Sequence, residues 1–301
     1  MDGYKKIIKS PKIRALILDC LSFLPDFLML SIQYRIKTGR KLNIKNPKRF
    51  TEKIQWYKMN YHNPIMHQCV DKYFVRDYVK SKGLEDILVP LIKKYNLVTE
   101  IKWEELPSAF VIKTTNGGGG LNVVVCNDKT KLNYHEIINK ISANNKPVKA
   151  KTGGREWAYY GLQEGVVIEE LLVNDENPEA GINDYKIFCY NGKPEYIVVD
   201  IDRYIGHKRN FYDTNWKNLN ITSDCPKSDK EIYKPSNFNK MLEIASILSK
   251  DFPFVRVDLY NIKGKIYFGE LTFYPWSGYV KFYPDEFDYK LGEKFNLRKL
   301  L

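Results

Sequence analysis

Arg256, Asp258, Glu270 and Thr272 carry the sharpest chemical signal in this chain. They lie between Phe254 and Gly278, in FVRVDLYNIKGKIYFGELTFYPWSG. Val255, Val257 and Leu259 alternate with polar residues, Asn261 to Gly264 reads as a turn, and Ile266 and Phe268 alternate again up to Glu270. That pattern predicts a two-stranded ribbon. Side chains two apart share a strand face, so Arg256, Asp258 and Tyr260 project together, with Glu270 and Thr272 able to meet them from the returning strand. A carboxylate pair bridging two strands can hold a divalent cation against phosphates. Charges alternating with apolar residues also suit an ordinary solvated strand face.

A second signal is FVIKTTNGGGGLNVVVC, where two β-rich runs flank Asn116, Gly117, Gly118, Gly119 and Gly120. Four consecutive glycines cost backbone entropy, and backbone N–H groups freed of side chains can wrap phosphate oxygens. Lys113, at the end of the first run, would enter such a pocket as a point charge. The alternative is a flexible hairpin tip. Neither a Walker loop nor a Rossmann glycine fingerprint is present. Upstream, VDKYFVRDYVKSKG predicts a helix from about Asp71 to Lys82 stopped by Gly83, with Lys72 and Arg76 on one face, followed by a short strand near Ile87 to Leu91.

Downstream, a buried strand over Val166 to Ile168 runs into Glu169 and Glu170 and resumes apolar at Leu171 and Leu172, as at a hinge whose backbone reads a nucleobase edge. Asp184 and Lys186 share a face of a hairpin turned at Asn191 and Gly192. Beyond it, RYIGHKRNFYDTNW reads as a basic, aromatic loop carrying Arg203, His207, Lys208 and Arg209. His207 fits either a general base or a binding residue at the surface.

The elements that must position these groups fit a globular chain of 301 residues, 44% hydrophobic. Lys plus Arg number 48 against 36 Asp plus Glu, a net charge of +12, which favours anionic partners such as a nucleotide, a polyanion or the inner face of a membrane. The five cysteines form no CxxC pair, which disfavours disulfides and structural zinc and suits a reducing cytoplasm. Residues 13–32 are apolar but interrupted by Arg14, Asp19, Pro25 and Asp26, too often for a membrane span. Two short helices broken at Pro25 are expected. They either pack on the body or rest on an anionic bilayer, with Lys5, Lys6, Lys9, Lys12 and Arg14 toward lipid and residues 1–34 forming a peripheral contact. A further helix is expected from Thr51 and Glu52, another within residues 129–150, and one from about Ser236 to Lys250.

In order, DK at Asp71 and Lys72, VIK at Lys113, IEELL at the hinge, RVD at Arg256 to Asp258 and GELTFYPWSG at Glu270 resemble the ATP-grasp superfamily. FTEKIQWYK, DKYFVRDYV, REWAYYG, DYKIFCYNGKP and FYDTNW look like its TupA-like branch, associated with teichuronopeptide and other surface-polysaccharide synthesis. The resemblance implies an α+β fold in which two subdomains hold ATP between antiparallel sheets. Residues 1–70 would form a helical region in place of the family's usual N-terminal βαβ domain, and 71–301 the ATP-grasp domain, with a lid over about 108–170 and a metal and substrate subdomain over about 171–290. It implies ATP and Mg²⁺ as cofactors. Lys72, Lys113, Asn116 and the Gly117–Gly119 lid would hold phosphates, Glu169, Glu170 and Leu172 the adenine, and Asp184 the ribose. Asp258, Glu270 and Thr272 would ligate metal, although the family usually has Asn where Thr272 stands. Arg256, Lys186, Arg209 and His207 would serve catalysis. The implied reaction is a cytoplasmic, ATP-dependent carboxylate–amine ligation through an acyl phosphate, joining an amine or amino acid to a uronic acid of a surface glycan or its precursor. A glycan kinase and a glycosyltransferase are the alternatives, and no nucleic acid is expected as a partner.

Overall fold

The computed structural model describes residues 10–118, 122–151, 153–174 and 177–297. Gly119 and Gly120, and Lys5, Lys6 and Lys9, therefore lie outside the described residues. The chain opens with α1 (Pro11–Cys20), where Ser10 caps the Ile13 N–H and proline stands in the first turn, and α2 (Asp26–Thr38), which follows Pro25 and ends at Gly39 with φ 78°. The break at Pro25 is as expected. Ile13, Leu16, Phe23 and Phe27 are exposed, and no described helix is long and apolar enough to cross a membrane.

Helix α3 (Phe50–Asn60) begins where Thr51 and Glu52 predict. The Glu52 carboxylate accepts the N–H groups of Lys48 and Arg49, while Asp288 accepts both the N–H and the hydroxyl of Thr51. The short helices α4 (Ile65–Val70) and α5 (Val75–Ser81) follow. The helix expected from Asp71 starts only at Val75. Asp71 Oδ1 takes the N–H groups of Tyr73 and Phe74, making Asp71 a cap rather than a helical residue, and the Lys72 N–H goes instead to the Thr115 carbonyl. Gly83, with φ 71°, ends this segment as anticipated. The strand expected at Ile87 to Leu91 also begins later, at Leu91, after a 3₁₀ turn over Glu85–Ile87.

Two antiparallel sheets follow. The first comprises β1 (Leu91–Tyr95), β2 (Phe110–Thr114), β3 (Val123–Cys126) and β4 (Val166–Glu169) in the order β1-β4-β2-β3, with α6 (Tyr134–Asn144) packing Ile137 and Ile141 against Phe110, Ile112, Val166 and Ile168. The second comprises β5 (Asp184–Tyr190), β6 (Lys193–Ile201), β7 (Lys208–Asp213), β8 (Phe254–Ile262) and β9 (Lys265–Thr272) in the order β7-β6-β5-β8-β9. Helix α7 (Phe238–Ser249) covers one face through Phe238, Met241, Ile244 and Leu248, and α8 (Glu286–Lys294) packs with α3. The α+β class is as expected. One reading is corrected: Lys208 and Arg209 do not sit in a loop but in β7, paired with β6 through Asp200↔Arg209.

The ribbon of β8 and β9 contains a detail that decides the site. Strict alternation would put Glu270 on the same face as Ile266 and Phe268, toward the core. The register instead shifts between Asp258 and Leu259, so that Leu259 faces Phe268 while Asp258 faces Glu270. Gly269 is the extra residue of this bulge, and a Cβ there would sit 2.9 Å from the Asp258 carbonyl. The bulge turns Glu270 to the face of Asp258 and Arg256.

Candidate active site

A cavity of about 640 Å³ opens between the two sheets. On the second sheet, strand alternation turns Arg256 and Asp258 of β8 and Asp184 and Lys186 of β5 into it, with Lys186 directly opposite Asp258. Arg256 grips Asp258 with two bonds, Nε to Oδ1 at 2.7 Å and Nη2 to Oδ2 at 2.6 Å. The same Nη2 lies 3.1 Å from Glu270 Oε1 and 3.0 Å from Thr272 Oγ1, and the Thr272 hydroxyl donates to Glu270 at 2.8 Å. Lys186 Nζ donates to Asp258 Oδ2 at 2.9 Å and also to Asp184. One step outward, Arg209 holds Asp200 at 2.6 and 3.1 Å and Asp224 at 2.6 Å, with His207 Nε2 3.2 Å from Asp200.

Burial pushes the carboxyls of Glu270, Asp200 and Asp258 upward, and the adjacent cations decide where each ends. For Glu270 the attraction of Arg256, Lys186 and Lys72 outweighs burial and holds it at about 2. For Asp200 burial is overcome by the Arg209 hydrogen bonds and charge, again giving about 2. Asp258 is as enclosed as Asp200. Burial, with Asp184 and Glu270 nearby, carries it up to about 6 against the pull of Arg256 and Lys186.

The first sheet faces this lattice with fewer contacts. Lys113 Nζ meets Glu169 Oε2 at 2.7 Å, and Arg76 reaches Glu169 Oε1 at 3.2 Å and the Val89 carbonyl at 2.9 Å. Lys72 points at the Gly117 carbonyl. Asn116 binds the carbonyls of Lys146 and Gln163 at 2.9 and 3.0 Å, so its amide anchors the glycine loop. A side chain at Gly117 would strike Thr114 and Asn122, whereas Gly118 faces open space.

Lys72, Lys113, Gly117, Gly118, Asn116, Glu169, Asp184, Lys186, Arg209, Arg256, Asp258, Glu270 and Thr272 thus meet in one cavity. Three residues named from the sequence stand apart from its lining. Glu170 is exposed and its N–H is engaged by the Pro90 carbonyl; Leu172 follows it outside the strand; His207 touches the site only through Asp200. Sequence reasoning missed Asp200, whose place in the alternating IVVDIDR run was the available signal. It also missed Glu156, Tyr159, Tyr274 and Ser277, which form the remaining wall.

Among the described residues, no group of three or more His, Cys, Asp or Glu gathers as a metal nest. The donors that do converge are two carboxylates and a hydroxyl, all within 3.1 Å of one nitrogen of Arg256. They already answer the Arg256 guanidinium, and Asp258 answers Lys186 as well. Mg²⁺ is commonly bound through one or two carboxylates together with substrate phosphates, so Asp258, Glu270 and Thr272 fit an ion that shares its coordination with a nucleotide once Arg256 moves aside.

Fold and site together define an α+β clamp, two antiparallel sheets closing on a charged cleft. The chain belongs to the TupA-like ATP-grasp family, whose model matches residues 52–296. Among solved structures it is similar to D-alanine–D-alanine ligase from Bacillus anthracis (20% identity, 68% of this chain and 56% of that one, TM-score 0.41) and from Helicobacter pylori (15%, 76% and 61%, 0.42). It is also similar to an L-amino acid ligase from Bacillus licheniformis (14%, 70% and 42%, 0.41). The chain spans 61% or less of the length of these three proteins. No curated protein matches it.

Proposed function

We propose that this protein is an ATP-dependent carboxylate–amine ligase. The observation that carries the reading is the single cavity in which Arg256, Asp258, Glu270, Thr272 and Lys186 face Lys72, Lys113 and Glu169. In this reading the segment 108–170 is the lid, and 171–290 carries the metal-binding and substrate groups. Lys72 and Lys113 neutralise phosphate oxygens, with Gly117 and its neighbours offering backbone N–H groups. Asp258, Glu270 and Thr272 hold Mg²⁺, which would screen the charge of the transferred phosphoryl. Asp184 has one oxygen, Oδ1, with no hydrogen-bond partner among the described residues, which suits a ribose hydroxyl.

The chemistry follows from placement and charge. A substrate carboxylate oxygen attacks the γ-phosphorus, the bond to the β-bridging oxygen breaks, and ADP leaves with its electron pair. The product is an acyl phosphate. An amine then forms a C–N bond at the acyl carbon and phosphate departs, leaving an amide. Arg256, freed from the carboxylates, stabilises the negative charge spread over the transferred group. Lys186 and the half-exposed Arg203 share the Asp184 carboxylate at one end of the cleft, and we take a uronic acid of a surface glycan or its precursor, met by Arg203, as the carboxylate.

The test is ATP-dependent hydroxamate formation with hydroxylamine over a grid of sugar acids and amino acids, reading ADP in parallel. Trapped hydroxamate with matching ADP supports a ligase. A phosphorylated sugar without hydroxamate would make the protein a kinase and remove the proposal.

A further inference from the structure

The wall that the sequence did not disclose is built by contacts from the N-terminal helices. Residues 276–278 turn with three successive left-handed conformations, at Trp276 (φ 49°), Ser277 (φ 55°) and Gly278 (φ 68°). Non-glycine residues adopt such backbone only where their surroundings over-determine it. Here α3 supplies the constraint. Gln55 donates to the carbonyls of Ser277 and Gly278, both at 3.0 Å, and Lys58 donates to the Ser277 carbonyl at 2.9 Å and its hydroxyl at 2.8 Å. Facing this turn is the segment around Glu156. The neighbouring Arg155 is buried and tied to the carbonyls of Ser22 and Leu24, both at 2.9 Å, and His67 holds the Ala158 carbonyl at 2.8 Å.

The Ser277 hydroxyl donates to Glu156 Oε1 at 2.5 Å, and the Lys58 ammonium, wholly buried, lies 3.7 Å from the same oxygen. Glu156 keeps a quarter of its side chain accessible and lines the cavity between Tyr159 and Tyr274. Burial and the Glu156 charge hold the Tyr159 phenol protonated, and the buried Tyr274 hydroxyl has no side-chain partner among the described residues. The same cavity is also lined by Lys186, Arg203 and Arg256, each already paired with a carboxylate of the second sheet. Glu156, a quarter accessible beside two phenols, therefore gives this wall an anionic character where a second reactant would enter.

We infer that Glu156, fixed by Ser277 and Lys58 and flanked by Tyr159 and Tyr274, is the recognition site for the amine substrate, received as a primary ammonium. This rests on the ligase reading above and assigns the second substrate's place within it. The carboxylate accepts one proton from the bound ammonium. The nitrogen lone pair then forms the C–N bond as the acyl carbon–oxygen bond to phosphate breaks, and the second displaced proton leaves with the phosphate. A carboxylate held by a hydrogen bond at one oxygen can do this without moving.

The experiment compares two nucleophiles on full-length enzyme with one acid from the hydroxamate grid. Hydroxylamine is small and uncharged at pH 7.5, so it needs no anionic recognition. Glycine and L-glutamate arrive as ammonium ions. Glu156→Gln should raise the KM for the amine ten- to a hundredfold, move the KM for ATP less than twofold, and lower the ratio of amide to hydroxamate at least tenfold. Glu156→Asp should recover part of that ratio. If the glutamine variant does not fold, Ser277→Ala takes its place, with the same selective rise expected for the amine. An unchanged amine KM, or equal losses with both nucleophiles, overturns the inference while the ligase stands. A wild-type enzyme that traps no hydroxamate with any acid overturns both.

Discussion

The two sheets facing each other across the cavity hold their charges in different ways. On the first, Lys113 has a single carboxylate partner among the described residues and leaves 22% of its side chain exposed, and Lys72 meets a backbone carbonyl of the glycine loop. On the second, Lys186 is 7% exposed between Asp184 and Asp258, with Asp200 at 3.9 Å, and Arg256 touches two carboxylates and a hydroxyl at once. The apolar support differs in the same sense. The first sheet rests on a small cluster around Phe110 and Ile141, whereas the second joins a core that runs through α3, α7 and α8. One wall is set before any ligand arrives. The other leaves its cations with fewer partners, and in the proposed reading a nucleotide's phosphates complete them, a division suited to orienting a reactant and then releasing it.

The largest effect should come from breaking the set wall. Asp258→Asn strips the carboxylate from between Arg256 and Lys186, and a buried ion group that loses one partner is destabilised by about 3 kcal/mol. Urea unfolding should show that loss, and ADP release should fall about 10³-fold. Equal stability of variant and parent would mean that the lattice is not energetically coupled. Asp200 gives a finer measure through pH. Its folded carboxyl lies at about 2, below the ordinary value of about 3.9, so the native state binds fewer protons than the unfolded chain between them. The stabilisation, about 2 kcal/mol, is complete above pH about 4 and is lost as pH falls toward 2. Stability of Asp200→Asn followed across that window should lack this slope. The smallest change in stability belongs to the open wall. Lys113→Ala should shift unfolding by about 1 kcal/mol or less while raising the KM for ATP about tenfold. If it unfolds the protein as readily as Asp258→Asn does, the two walls do not differ.

Much of the set wall could be read from alternation, because period-two patterning in β5, β8 and β9 and turns at Asn191–Gly192 and Asn261–Gly264 are local signals. What alternation could not give was parity across a bulge. Only Gly269, an otherwise unexplained glycine inside a strand, hinted that Glu270 would leave the core face. Lys72 was placed on a helix because Asp71 was read as helical, although an aspartate two residues before an aromatic pair is equally a cap. The strand β7 was hidden by its basic composition, since Arg209 is buried through Asp200 and Asp224 rather than through apolar character. Glu156 had no local signature. Its position depends on Arg155, Lys58 and Ser277, which are brought together only by tertiary packing.

Arg256 Nη2, bracketed by Asp258, Glu270 and Thr272, means that the resting fold carries its own counter-ion. A chelator then has no purchase on the architecture, and stripping divalent ions would silence turnover without loosening the chain. In the proposed reaction Asp258, Glu270 and Thr272 would hold magnesium together with the nucleotide's phosphates, so the ion would come and go with the nucleotide.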